Sequence, residues 1–201
     1  RTLGTLARCG SLPRLERLDI CGNDNGDEGD NGDNGDNGDA GVALLADGLR
    51  HGRLPSLRDL RLRIAQIGPQ GATALAPALT KRAVPSLKNL QLIGNQIGDA
   101  GLTALAPALR QLPTLETLYL SDNQITDQGL ASLLAPPTAG VLPSLEILSL
   151  NGNQITDEGC AALASALRGG ALPAVFEVRL FGNPASNQAQ ASVRAAFSNR
   201  A

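Results

Sequence analysis

One phrase of apolar positions, Leu-x-x-Leu-x-Leu, recurs along this chain. It stands in full at Leu145, Leu148 and Leu150, and with substitutions at Leu15, Leu57, Leu87, Leu115 and Val175. Leu148 and Leu150 are two residues apart, so on an extended backbone they point one way while Ile147, Ser149 and Asn151 point the other. Each phrase therefore predicts a short strand with one apolar face. An Asn closes each phrase at 23, 95, 123, 153 and 183, with Ala65 in its place in the second copy; successive positions are 42, 30, 28, 30 and 30 residues apart. After each comes an Ala/Leu-rich run that predicts a helix. One strand and one helix gain too little burial to offset their ordering entropy, so the copies must stack on a shared core. The pattern predicts a single elongated α/β domain over 1–201 with about six repeats.

The helix starts are marked locally. Gly68-Pro69, Thr126-Asp127 and Thr156-Asp157 place an N-cap residue before Pro or Asp at the first helical position. Pro77 and Pro107 lie inside the second and third runs and predict short or kinked helices there, and Pro136-Pro137 should end the fourth early. From Asn187 a more polar helix follows, so 184–201 reads as a C-terminal cap. Ala65 lacks the side chain that would bond backbone groups of neighbouring turns, which predicts a weak point in that ladder.

The phrase continued as Leu-x-x-Leu-x-Leu-x-x-Asn-x-Ile, with Gly four residues later and then the helical run, resembles the leucine-rich repeat in its long, ribonuclease-inhibitor-like subtype. The resemblance covers nearly the whole chain. It implies a horseshoe: parallel strands on the concave face, helices on the convex face, and a partner protein bound on the concave side. The repeats are similar in kind to those of ribonuclease inhibitors, Ran-GTPase-activating proteins and nucleotide-binding immune receptors. The resemblance thus implies an interaction scaffold and leaves open a small-GTPase regulator or the sensing region of an immune-type receptor, because a fold does not choose among functions.

Strand alternation lays the concave face out in three columns: Arg17, Asp59, Asn89, Thr117, Ile147, Glu177; then Asp19, Arg61, Gln91, Tyr119, Ser149, Arg179; then Cys21, Arg63, Ile93, Ser121, Asn151, Phe181. Tyr119 is the only tyrosine and sits near the middle. Tyr and Arg offer large contact area and several hydrogen bonds, and they dominate interface energetics. The partner-binding candidates are Arg61, Arg63, Gln91, Tyr119, Ser149, Arg179 and Phe181.

Composition narrows the rest. Aromatic residues make up 2% and Met and Trp are absent, so the core must be Leu, Ile, Val and Ala. No apolar run approaches the roughly 18 residues of a membrane span, and no signal-peptide pattern is present. Cys9, Cys21 and Cys160 are odd in number and unrelated in spacing, unlike a disulfide framework or zinc site; a reducing, cytoplasmic setting follows. The chain opens at Arg1 in mid-repeat, so the expectation is a fragment with residues upstream.

The tract 24–39 repeats Asp, Asn and Gly and holds 7 of the 19 acidic residues. Without residues 27–38 it would read as 95–101 does, so it is an insertion of polar turn-forming residues, expected as a protruding loop. Its three-residue period does not reproduce the ligand spacing of a calcium-binding EF-hand loop, and neither metal nor cofactor is expected. His51, the only histidine, falls in a loop after a helix. No phosphate loop or nucleophile elbow occurs, and Cys160 takes a place filled by Leu102 and Leu130, so it reads as core and the chain as no enzyme. Net charge −2, with basic residues not clustered among aromatics, argues against a nucleic-acid partner.

Overall fold

The six apolar phrases form six strands that pair in parallel and in chain order, as one open sheet. The computed structural model describes residues 13–22, 37–51, 54–135 and 141–198. The strands are β1 Arg17–Cys21, β2 Asp59–Arg63, β3 Asn89–Gln91, β4 Thr117–Tyr119, β5 Ile147–Ser149 and β6 Glu177–Arg179. Each is followed by a helix: α1 Asn37–Arg50, α2 Pro69–Leu75, α3 Gly98–Leu109, α4 Asp127–Leu134, α5 Asp157–Arg168 and α6 Asn187–Ser198. The architecture is an α/β solenoid.

Register does the packing. Leu18, Leu60, Leu90, Leu118, Leu148 and Val178 are successive partners across the sheet. A row of branched apolar side chains therefore runs through the repeats. Leu62, Leu92, Leu120 and Leu150 form a second buried row and Ile67, Ile97, Ile125 and Ile155 a third, continuous with Leu102, Leu105, Leu130, Leu163 and Leu167 from the helices. No repeat has a core of its own.

An asparagine ladder ties the turns together. Asn95, Asn123, Asn153 and Asn183 donate from Nδ2 to the carbonyls of Leu62, Leu92, Leu120 and Leu150 in the preceding repeat at 2.8–2.9 Å. Their Oδ1 atoms accept from the amides of Ile67, Ile97, Ile125 and Ile155 at 3.0–3.4 Å. Each side chain thus satisfies buried donors and acceptors that no strand reaches. Ala65 cannot do this; by the same register its side chain would address Ile20 of the first repeat. Asn23 lies outside the described residues, as do Cys9 and residues 136–140.

Thr126 and Thr156 cap α4 and α5, each hydroxyl accepting from the amide two residues on at 3.2 Å, and Gly68 precedes α2 with Pro69 in its first turn. A second ladder joins the helix starts. The Asp99 carboxylate accepts from the amide and hydroxyl of Thr126 at 2.8 and 2.6 Å. Asp127 does the same for Thr156, Asp157 for Ser186, and Asp39 accepts from the Gly68 amide at 2.7 Å. Such a carboxylate also sits favourably against the next helix dipole. Gly129 leaves room for it, since a Cβ there would lie 2.4 Å from Asp99 Oδ1.

Two expectations meet a different outcome. Pro77 does tighten the end of α2 into the 3-10 turn Ala76–Ala78, but α3 runs through Pro107 to Leu109. Its last turn is held by the Arg110 amide bonding the Ala106 carbonyl and by Arg110 Nη1 donating to the Ser132 carbonyl of the next repeat at 3.2 Å. The tract 24–39 does not stay loop to its end, because α1 begins at Asn37 and Asp39 belongs to the helix-start ladder; residues 24–36 lie outside the described part. The last helix, α6, packs beside α5 and buries Val193 and Ala196. The fourth helix does stop early: α4 has 8 residues and Ala135, before Pro136, is extended.

Candidate protein-binding face

Cross-strand pairing lines up the first two columns as the alternation requires: Arg17, Asp59, Asn89, Thr117, Ile147 and Glu177 in one, Asp19, Arg61, Gln91, Tyr119, Ser149 and Arg179 in the other. Five of the seven candidates, Arg61, Gln91, Tyr119, Ser149 and Arg179, stand in one cross-strand row; Arg63 pairs with Cys21 at the end of β2, and Phe181 lies two residues past β6. They do not share one environment.

At the β1–β2 end the arginines are already paired. Arg61 lies 3.7 Å from Asp19 and 3.6 Å from Asp59, Arg63 lies 3.4 Å from Asp19, and Arg17 lies 3.3 Å from Asp59. Strand register alone puts these charges side by side. Such half-exposed pairs are worth little in stability, but they neutralise the field a partner would meet. The buried Nε atoms of Arg61 and Arg63 have no protein partner, nor do Asn89 Oδ1 and Thr117 Oγ1. These four polar atoms on β2–β4 are buried without a hydrogen-bond partner among the described residues.

At the other end the face is aromatic. The Arg179 guanidinium stands 5.8 Å from the centroid of the Tyr119 ring, two strands away, a geometry in which the ring quadrupole attracts the cation. It spans Ser149, which is small, 2% exposed, and hydrogen-bonded through its hydroxyl to that of Ser121 at 2.9 Å. Ser149 is thus a floor under the pair and offers no contact of its own. Arg179 Nε donates to Glu177 Oε1 at 2.8 Å. That hydrogen bond holds the Glu177 carboxyl below its ordinary value and pushes the Arg179 guanidinium up. Phe181 beside them is 83% exposed, its amide held by Asn151 Oδ1 at 2.9 Å. Gln91 lies half-buried between the two ends.

Sequence reasoning passed over Phe176, 59% exposed just before β6, because it falls outside the three columns. The pairing of Arg61 and Arg63 with Asp19 and Asp59 is not part of the sequence reading, although these residues are neighbours in the columns. Away from this face, His51 Nδ1 donates to the Asp47 carbonyl at 2.6 Å at the end of α1, a helix-terminal role. Cys160 is fully buried, and burial, then Asp157 and Asp127, push its thiol up. Among the described residues no three His, Cys, Asp or Glu side chains gather as for a metal, and no helix is long and apolar enough to cross a membrane. A groove of about 460 Å³ opens between α4 and α5 where α4 stops short; Ala131, Leu134, Ser165 and their neighbours line it without a titratable group.

Residues 113–159 match a family model described as Leucine Rich repeats (2 copies), and residues 53–76 and 85–106 match one described as Leucine Rich repeat. These segments hold β2, β3, β4 and β5. The fold is a leucine-rich-repeat solenoid. No curated protein matches the chain. Among solved structures, the one described as Leiomodin-1 Actin-Binding Site 2 (ABS2) matches the repeat solenoid with a TM-score of 0.62 at 16% identity, over 76% of this chain and 85% of that one. At that identity the likeness is one of fold. Leucine-rich-repeat folds of this kind serve mainly as binding scaffolds.

Proposed function

We propose that this protein is an interaction scaffold whose concave face binds a partner protein, with Tyr119, Arg179 and Phe181 as the contact centre. The observation that carries the reading is the Arg179–Tyr119 stack beside Phe181, 83% exposed. In a chain with one tyrosine and three phenylalanines, these side chains converge on one end of one face. The stack is held in place by Ser149 and Glu177 before any partner arrives, so little side-chain entropy is left to lose on binding. Arg61, Arg63 and Gln91 extend the contact along the same face. Repeats of 28 to 30 residues with 12-residue convex helices at α3 and α5 favour the ribonuclease-inhibitor-like subtype.

The test is binding by the intact chain and its variants. Actin is the first protein to assay, because the solved neighbour is described as an actin-binding site; proteins retained from a cell extract follow. Tyr119→Ala and Arg179→Ala should each weaken a retained partner by about 2 kcal/mol, roughly 30-fold in Kd, while Arg168→Ala at the convex end of α5 leaves it unchanged. A partner that binds all three variants like the wild type overturns the concave-face reading.

A further inference from the structure

Because all strands run parallel, their first residues lie along one edge of the solenoid and their last residues along the other. Charge is divided between these edges. The stretches that carry the chain from strand to helix, 64–80, 93–109, 120–134 and 150–167, contain no Lys or Arg and hold Asp99, Asp122, Asp127, Asp157 and Glu158. The cations stand on the opposite edge, where helices end and strands begin. Arg50 closes α1 and Arg168 closes α5, places where the helix dipole favours a cation.

Arg58, Lys81 and Arg82 have no such structural reason. All three are exposed, Arg58 just before β2 and the other two in the turn between α2 and β3. The arginines of the concave strands are paired with carboxylates, and Lys88 bonds Glu116 at 2.5 Å. Arg58, Lys81 and Arg82 form no salt bridge among the described residues. The Lys88 amide donates to the Arg58 carbonyl at 2.9 Å, so two cations stand one strand spacing apart, about 4.8 Å. Like charges in adjacent register positions destabilise a sheet unless an anion meets them.

We propose that Arg58, Lys81 and Arg82 form a docking surface for a short acidic segment of a protein partner. The same backbone links that join Lys88 to Arg58 fix the length of that segment. They place Glu16 before Arg58 in the row, and Glu116 and Glu146 after Lys88. A membrane surface or a nucleic-acid duplex laid along this edge meets those carboxylates on both sides of the patch. A run of a few Asp or Glu residues crossing the second and third repeats meets cations alone. The charged edge lies outside the Tyr119–Arg179 contact, so the proposal goes beyond the concave-face reading and does not rest on it.

The probe is an oligoglutamate peptide, titrated into the intact chain at the physiological ionic strength of about 0.15 M and followed by NMR. The amides of Arg58, Lys81 and Arg82 should shift saturably, and those of Asp122 and Glu158 on the opposite edge should not. Arg58→Glu and Arg82→Glu should each weaken binding by roughly tenfold or more, because each sets like charges together. Arg194→Glu on α6 makes the same change in net charge away from the patch and should leave the affinity unchanged. Tyr119→Ala should also leave it unchanged, while that variant weakens a concave-face partner, so the two proposals fail separately. Absence of saturable shifts at the three residues, an equal loss in Arg194→Glu, or tighter binding of phosphatidylserine vesicles or duplex DNA than of the peptide each overturns the proposal. Should a charge-reversal variant fail to fold, the shift map of the wild-type chain decides the matter.

Discussion

Asn153 shows how much one side chain can carry in a shared core. Its Nδ2 donates to the carbonyls of Leu120, Leu150 and Asn151, and its Oδ1 accepts from the amides of Asn123 and Ile125. Asn153→Ala leaves those buried groups unpaired and should cost on the order of 3 kcal/mol in a denaturant titration. Thr156→Ala removes one exposed cap and should cost about 1 kcal/mol. A second prediction at this scale concerns charge. Because the Arg179 hydrogen bond lowers Glu177, the bridge contributes fully above the unfolded glutamate value of about 4.3 and is lost as pH falls through the folded one. An NMR titration should therefore find the Glu177 midpoint below the unfolded glutamate value, and Arg179→Ala should raise it back toward that value. The ladder asparagines were legible in the sequence because they recur at a fixed place after each strand. The reach of Arg179 over Tyr119 was not, because it depends on Ser149 being small and buried between them.

At the scale of elements, the strands and their register follow from the two-residue alternation. The helix starts follow from Gly68-Pro69, Thr126-Asp127 and Thr156-Asp157, and the early end of α4 from Pro136. These signals are local, so sequence alone carries them. The end of α3 is not purely local: Arg110 Nη1 donates to the Ser132 carbonyl of the following repeat, a contact no local signal announces. The helix-start ladder was present as a recurring Asp-x-Gly at 39–41, 99–101, 127–129 and 157–159, yet its meaning lies between repeats. Its glycine is the sensitive point. A Cβ at Gly159 would stand 2.0 Å from Asp127 Oδ1, the atom that accepts from the Thr156 amide. Gly159→Ala should lower stability by roughly 1–3 kcal/mol through this crowding, although alanine is the better helix former. An unchanged unfolding midpoint would contradict the ladder's geometry.

For the whole molecule, continuity of the core is the governing fact. Leu148 is fully buried and is the register partner of Leu118 on one side and Val178 on the other. Leu148→Asp places a charge where three repeats share their packing and should cost on the order of 4–5 kcal/mol, seen as loss of the cooperative thermal transition. A folded variant would sink the register. The same continuity makes the concave face a surface no single repeat owns, so its chemistry could be read from the sequence as columns but not as an assembled site. Arg61 turned out to have its counter-ions in Asp19 and Asp59, and Tyr119 its cation in Arg179. The most direct test of binding on this face is photo-crosslinking with the reactive group placed at Gln91, between the charged and aromatic ends, and in a second variant at Gln128 on the convex helix α4. Adducts to a partner protein that form from position 91, disappear when Tyr119→Ala is added, and are absent from position 128 are what the account predicts. Adducts from position 128 alone would contradict it.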